Sequence, residues 1–271
     1  DQKALNTHKL NFECGKSVCG DICEIPSEEI PECDILVGGF PCQSFSTVNP
    51  TKDPFDDRAN LYKQMVRIAK DKQPKVIIAE NVKGLMTLHK GQIFKRVKEA
   101  FEDAGYVLSY KLLNAANFGV PQKRERVIIV GFRKDLGMTF DFPEETNSND
   151  WVPLSVAVPK LAIEEQKYYF SKRAVEGMKN AKPNMKRGLW QKLDEPCLTV
   201  TSHLAKVSLN SRDPVLLVDP EKELYRRFTP REAARIQSFP DEFVFAGSET
   251  DAYRQIGNAV PPVLFWHICN K

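Results

Sequence analysis

Ile35-Leu36-Val37-Gly38-Gly39-Phe40-Pro41-Cys42-Gln43-Ser44-Phe45-Ser46 joins a short apolar run to two glycines, a proline and a thiol. The apolar run reads as a buried strand, so the Cys42 thiol projects from the strand's carboxyl end. In an open α/β sheet, ligands bind at that edge. Gly38 and Gly39 let the backbone approach a substrate closely, and Pro41 stiffens the turn that presents the sulfur. A lone cysteine in a tight loop is ordinarily structural. What accompanies this one along the chain decides the matter.

Working outward, the pattern alternates. Residues 1–12 read as the tail of a helix and 18–22 as a strand end. Residues 58–72 read as a helix with Leu61, Met65, Ile68 and Ala69 at helical spacing. Val76-Ile77-Ile78-Ala79 is a buried strand that ends abruptly on Glu80. Residues 92–104 form an amphipathic helix through Ile93, Val97, Ala100 and Phe101, with Gly105 as its stop. Strands at 107–114 and 126–132 complete a strand-helix-strand series, which signals a mostly parallel sheet.

Beyond Pro143 the regularity fades. Prolines at 153, 159, 183, 196, 214 and 220 punctuate short segments, as in a small loop-rich domain. Order returns at Thr229-Pro230-Arg231-Glu232, a capping box with proline at the first helical position. A final helix spans 260–269. The predicted organisation is an α/β domain over 1–142, a second domain over 143–222 and a return segment over 223–271.

A chain of 271 residues suffices for one sizeable core plus an appendage. With 42% hydrophobic and 28% charged residues it falls in the globular class. No run approaches a membrane span, and the opening Asp1-Gln2-Lys3 is no signal peptide. Seven irregularly spaced cysteines argue against a secreted disulfide framework and for a reducing cytoplasm. Cys14, Cys19, Cys23 and Cys33, at separations of five, four and ten, lack the paired spacing of a metal knuckle, so no metal is expected. The net charge of +3 announces no nucleic acid. Residues 171–192, however, hold seven Lys or Arg against Glu176 alone, a solvated face or a phosphate contact.

Five runs then fall in order: the Cys42 run; Val76 through Val82; Gln122-Lys123-Arg124-Glu125-Arg126; Arg226-Arg227-Phe228-Thr229-Pro230-Arg231-Glu232; and Gln255-Ile256-Gly257-Asn258-Ala259-Val260-Pro261-Pro262. Together the series resembles that of the cytosine-C5 DNA methyltransferases of bacterial restriction-modification type. The likeness covers the chain except roughly 140–222, where that family carries its variable target-recognition region. It implies a Rossmann-like, mostly parallel sheet domain with a small, loop-rich target-recognition domain. The implied reaction moves a methyl group from S-adenosyl-L-methionine to C5 of a flipped-out cytosine in a specific duplex DNA sequence. It runs through a covalent bond between Cys42 and C6, and it protects host DNA from a cognate restriction endonuclease that the enzyme need not touch. A cytoplasmic monomer is expected.

The chemistry explains the residue types. Cytosine C5 is a weak nucleophile until a thiolate adds to C6, and an ordinary thiol is only about 3% ionised at neutral pH. Glu80, by resemblance, meets N3 and the exocyclic amine, a role for a carboxyl whose pKa burial raises. Read without the family it is a strand-end carboxylate that caps a helix or pairs with a lysine. Arg124 and Arg126 alternate on an apolar strand, so one faces the site while the other turns away. The resemblance puts Arg126 at the base carbonyl and Arg124 at the active site, while an ion pair with Glu125 or Asp135 is the alternative.

The target base must leave its stack, as in other methyltransferases. The polar segment 44–59 fits a loop that closes over DNA, with Ser46 and Lys52 reaching phosphates. By the same likeness Asp21, Ile22, Pro41, Leu61, Asn258 and Ala259 border the cofactor. Thr199-Val200 resembles the Thr-aliphatic pair ahead of the recognition loop. Lys206, Ser208, Asn210 and Arg212 alternate as candidate base readers or as a solvated face. Arg227, with Arg226 and the helix from Thr229, holds the small domain in place and completes the candidate DNA contacts.

The family's glycine-rich cofactor turn, and the acid that follows it, have no counterpart in this sequence. Matching Asn11-Phe12 and Gly20-Asp21-Ile22 to the family puts residue 1 just after that acid, so roughly 40 further residues, one strand-helix unit, are expected ahead of it. The expectation is that these 271 residues alone bind S-adenosylmethionine poorly. Two other functions fit the same residues: a tRNA cytosine-C5 methyltransferase, and a cofactor-deficient methyltransferase-like subunit.

Overall fold

The computed structural model describes residues 1–13, 15–41, 61–148, 150–180, 190–209 and 213–271. In chain order the helices are α1 Gln2–Asn11, α2 Tyr62–Lys72, α3 Gly84–Thr87, α4 Gln92–Asp103, α5 Lys172–Lys179, α6 Pro230–Ile236, α7 Glu249–Asn258 and α8 Pro262–Cys269. The strands are β1 Ile35–Gly38, β2 Val76–Val82, β3 Tyr106–Asn114, β4 Gln122–Lys123, β5 Glu125–Arg133, β6 Cys197–Leu198, β7 Leu216–Asp219 and β8 Leu224–Arg226. The chain divides into two compact units. One comprises Gly20–Leu113 and Glu125–Pro143; the other comprises Asp1–Cys19, Asn114–Arg124 and Glu144–Asn270.

The sheet unit is built on the order β1-β2-β5-β3. Ile77 and Ala79 of β2, with Val127 and Ile129 of β5, bury one face against Leu85, Ile93, Phe94, Val97 and Phe101. The last four lie along α4 and present its apolar stripe, as the 3.6-residue period requires. Phe101 is fully buried, and truncating such a ring to alanine costs about 3–5 kcal/mol. Gly131 of β5 is a close-approach position: a Cβ there would lie 2.7 Å from Ile77 and 2.7 Å from Leu108.

Three local expectations change. β1 and β2 are parallel, but β2 and β5 are antiparallel, so the sheet is mixed. The physical reason is length. Only ten residues, 115–124, separate β3 from its sheet neighbour β5, and a parallel crossover needs a dozen or more. β1 is not fully buried: Ile35 and Val37 are each 55% exposed, and among the described residues β1 pairs with β2 alone. Residues 18–22 form no strand. Asp21 Oδ1 accepts from the Cys23 N–H at 2.9 Å, and this side-chain turn competes with strand pairing.

In the second unit, Leu154, Val200, Leu204, Phe228, Ala233, Ile236, Tyr253 and Ile256 form the main core. A satellite cluster gathers Val175, Val207, Leu209, Val215 and Tyr225. β4 pairs parallel with β6, and β7 antiparallel with β8. The predicted capping box is present: Glu232 N donates to Thr229 Oγ1 at 3.2 Å, and Thr229 N donates to Glu232 Oε2 at 2.8 Å. α7 opens on a second box, from Ser248 and Asp251. Ser171 caps α5, whose Val175 faces inward while Lys172 and Arg173 stay exposed. Among the described residues no helix is long and apolar enough to cross a membrane.

Candidate active site

β2 leaves the core at Glu80, and the register explains what meets it there. Val82 stands opposite Arg126 and Glu80 opposite Ile128, so Glu80 and Arg126 are diagonal neighbours on one face. A long guanidinium spans that diagonal. Arg126 Nε lies 2.8 Å from Glu80 Oε1, with the two side chains 12% and 18% exposed. Burial lowers the Arg126 pKa and the Glu80 carboxylate opposes that shift; arginine keeps its charge regardless. Neither alternative partner is used: Asp135 pairs with Arg133, and Glu125 pairs with Lys83. Arg126 reaches Glu125 only through its backbone carbonyl, at 2.7 Å.

The same strand end is tied to the residues ahead of the thiol. Buried Asn81 donates from Nδ2 to the Phe40 carbonyl at 2.9 Å. A Cβ on Gly39 would stand 3.7 Å from Glu80 Oε2, so the backbone three residues before Cys42 lies against the carboxylate. The sequence reading passed over Asn81; a polar residue closing an otherwise apolar strand was the signal that could have found it. Cys42, Ser46, Lys52 and Arg212 lie outside the described residues.

Arg124, expected beside Arg126 at the site, belongs to the other unit. It is buried, with Nη1 donating to the Val200 carbonyl at 3.1 Å and Nη2 to the Gly257 and Ala259 carbonyls at 3.0 Å each.

The candidate cofactor residues offer matching chemistry. Exposed Asp21 supplies a carboxylate acceptor for an exocyclic amine, and half-buried Ile22 and Leu61 supply apolar surface. Arg67 Nη2 fixes the Asp21 turn by donating to the Ile22 carbonyl at 3.0 Å. Pro41 is exposed at the end of the described run. Asn258 and Ala259 line a cavity of about 350 Å³ with Phe239, Phe243 and Phe245. Within the sheet unit, the Asp21 carboxylate beside apolar Ile22 and Leu61 is the chemistry that suits the base of a nucleoside such as S-adenosylmethionine.

Among the candidate DNA contacts, Thr199 Oγ1 donates to the Lys123 carbonyl at 2.8 Å. Lys206 and Ser208 are exposed while Val207 and Leu209 are buried, so the alternation read from the sequence exists through 209. Arg227 is engaged within its own unit. Nη1 donates to the Ala205 carbonyl at 2.8 Å, and its guanidinium lies 5.4 Å from the centre of the Tyr168 ring. Buried Cys197 has its thiol pKa pushed up by burial, which keeps that sulfur inert.

A family model described as C-5 cytosine-specific DNA methylase matches residues 1–271. Type II methyltransferase M1.ScrFI of Lactococcus lactis subsp. cremoris is 36% identical over 268 residues, spanning 96% of this chain and 67% of the relative. Type II methyltransferase M.NgoFVII of Neisseria gonorrhoeae is 38% identical over 268 residues, spanning 90% and 71%. The fold is similar to that of DNMT2 from Spodoptera frugiperda, with a TM-score of 0.76 at 17% identity over 98% of this chain and 88% of that one. The family match and these two relatives point to the same family that the five sequence runs resemble. This chain belongs to the C-5 cytosine-specific DNA methylases, with type II methyltransferases of restriction-modification systems among its relatives.

Proposed function

We propose that this enzyme methylates C5 of a cytosine flipped out of a specific DNA duplex, with Cys42 as the covalent nucleophile. The observation that supports it most is the Glu80–Arg126 pair, at a strand end that Asn81 ties to the residues ahead of Cys42. In this reading the Cys42 thiolate forms a bond to C6, and the C5–C6 electron pair passes into the ring towards N3. Glu80 holds the proton at N3, and Arg126 meets the base carbonyl, where negative charge develops. C5 then acts as the nucleophile and gains the methyl group, N3 returns its proton to Glu80, and the C5 proton passes to solvent. The electron pair of the broken C5–H bond re-forms the C5–C6 double bond and expels the Cys42 thiolate.

S-adenosylmethionine supplies the electrophilic methyl group. Asp21, Ile22, Pro41, Leu61, Asn258 and Ala259 would hold it. Ser46, Lys52, Thr199, Lys206, Arg212 and Arg227 would contact the duplex, with residues 143–222 supplying target recognition between the two catalytic segments. Protection of DNA against a cognate restriction endonuclease, by a cytoplasmic monomer, completes the proposal.

The test is a duplex carrying 5-fluorocytosine at the target, which cannot lose a proton from C5. Mass spectrometry should find a stable adduct on Cys42. Cys42→Ser should abolish methyl transfer and leave duplex binding nearly intact. Turnover by that variant would refute the nucleophile.

A further inference from the structure

The second unit contains a polar cluster that the reaction above does not use. Gln122 and Gln237 are both fully buried, and Arg124 is 2% exposed. Burying two amides and a guanidinium is costly unless they are hydrogen-bonded, and here they are bonded to a small set of backbone groups. Gln122 Oε1 accepts from the Val200 N–H at 3.0 Å, while Gln122 Nε2 donates to Gln237 Oε1 at 2.6 Å. Gln237 Nε2 donates to the Ala259 carbonyl at 2.6 Å and the Ile256 carbonyl at 3.1 Å. Arg124 closes the ring through the carbonyls of Val200, Gly257 and Ala259.

Two consequences follow. At the end of α7 the Gly257 carbonyl accepts from Arg124, and the Ile256 carbonyl, already bonded to the Ala259 N–H at 3.2 Å, accepts from Gln237 as well. Both backbone groups of Val200 are held by the same cluster that holds the Ala259 carbonyl. Gly257 makes the approach possible: a Cβ there would lie 2.2 Å from the backbone of Thr201 and of Ser202. The Thr199-Val200 segment and the Asn258-Ala259 segment therefore cannot shift independently.

We infer that Gln122, Gln237 and Arg124 are positioning residues that couple discrimination of the DNA target to cofactor binding, by locking Val200 to Ala259. The inference rests on the proposed function, which places Thr199 at DNA and Asn258-Ala259 at the cofactor.

The experiment compares the parent enzyme with Gln122→Leu, Gln237→Leu and the double variant. One readout is calorimetric binding of S-adenosylmethionine. The other is the ratio of duplex affinities for the methylated sequence, found by bisulfite sequencing, and for that sequence with one base pair changed. Each single variant should lose about tenfold in both readouts, the scale of a buried group left unsatisfied. The double variant should be no worse than the poorer single, because both changes break one network.

Movement of only one readout, or multiplication of the two losses in the double variant, overturns the coupling. So does a mere fall in folded fraction, which leaves the survivors' affinities and their ratio unchanged. Should the leucine variants not fold, Gln122→Met and Gln237→Met, uncharged and nearly the same in length, carry the same comparison. A parent that does not bind the duplex breaks the proposed function itself; a parent that binds it, with weak cofactor affinity still measurable and variants uncoupled, breaks only this inference.

Discussion

Two arginine–glutamate pairs, one in each unit, show how similar groups serve different ends. In the second unit Arg226 and Glu232 are buried, with side chains 0% and 8% exposed. Nε of Arg226 goes to the Leu161 carbonyl, Nη1 to the Arg227 carbonyl and Glu232 Oε2, and Nη2 to the Lys160 carbonyl and Glu232 Oε1. All five donors are spent on the fold, and Glu232 also closes the cap of α6. In the sheet unit, Arg126 and Glu80 meet at a strand end and keep part of their surface exposed. A saturated buried pair can only hold structure; a pair at an open edge can exchange part of its bonding for a substrate. On the proposed function, saturation more than residue type separates architecture from chemistry.

The largest expected effect tests the open pair. Glu80→Gln should slow the single-turnover methylation step by about 10²–10⁴-fold, the range for a positioned general acid, with duplex affinity nearly unchanged. Equal losses of rate and affinity would make the pair a DNA anchor and erase the contrast. The saturated pair should respond in stability instead. Arg226→Ala leaves Glu232 buried without its cation and should cost about 3–5 kcal/mol in denaturant unfolding. Combining Arg226→Met with Glu232→Leu should restore much of it. If Arg126→Ala destabilises the protein as much as Arg226→Ala, the distinction fails.

Thr229→Ala isolates the cap that Glu232 shares and should cost about 1 kcal/mol by the same unfolding measurement. Smaller still is a pH effect at α7. A hydrogen bond from Lys3, then bonds from the Ser248 side chain and backbone, hold the Asp251 carboxyl well below its ordinary value of 3.8. Lys3 Nζ stands 2.5 Å from Asp251 Oδ2. Because the folded-state pKa is depressed, this group's contribution is fully present above the unfolded value, about pH 4. It is lost as pH falls through the folded value. Acid unfolding of Asp251→Asn should therefore show a shallower loss of stability below about pH 4 than the parent.

The sequence made Glu80 legible because a carboxylate interrupts four apolar residues, and that break survives any packing. It put Arg124 and Arg126 together at the site with one turned away. Residues two apart on one continuous strand share a face, yet Arg126 lies in β5 against β2 whereas Arg124 follows β4, which pairs with β6. Each side chain's partner is set by the strand that its own backbone joins. Asp21 misled for a related reason: its residue type fits a strand end, but its carboxylate captured a local N–H first. Gln122 and Gln237 stayed unread because an amide in a helix-end or strand pattern looks solvated until burial is known.

The amino-acid order alone determined the chemistry this chain offers: a thiol behind glycines, a carboxylate ending a strand, two arginines, a capped helix, and the family to which their succession belongs. Pairing direction, the burial of each polar group and the choice of partner came only with the tertiary structure. A sequence fixes which groups exist along one dimension, whereas hydrogen bonds and ion pairs are made between groups that backbone pairing and packing bring together in three.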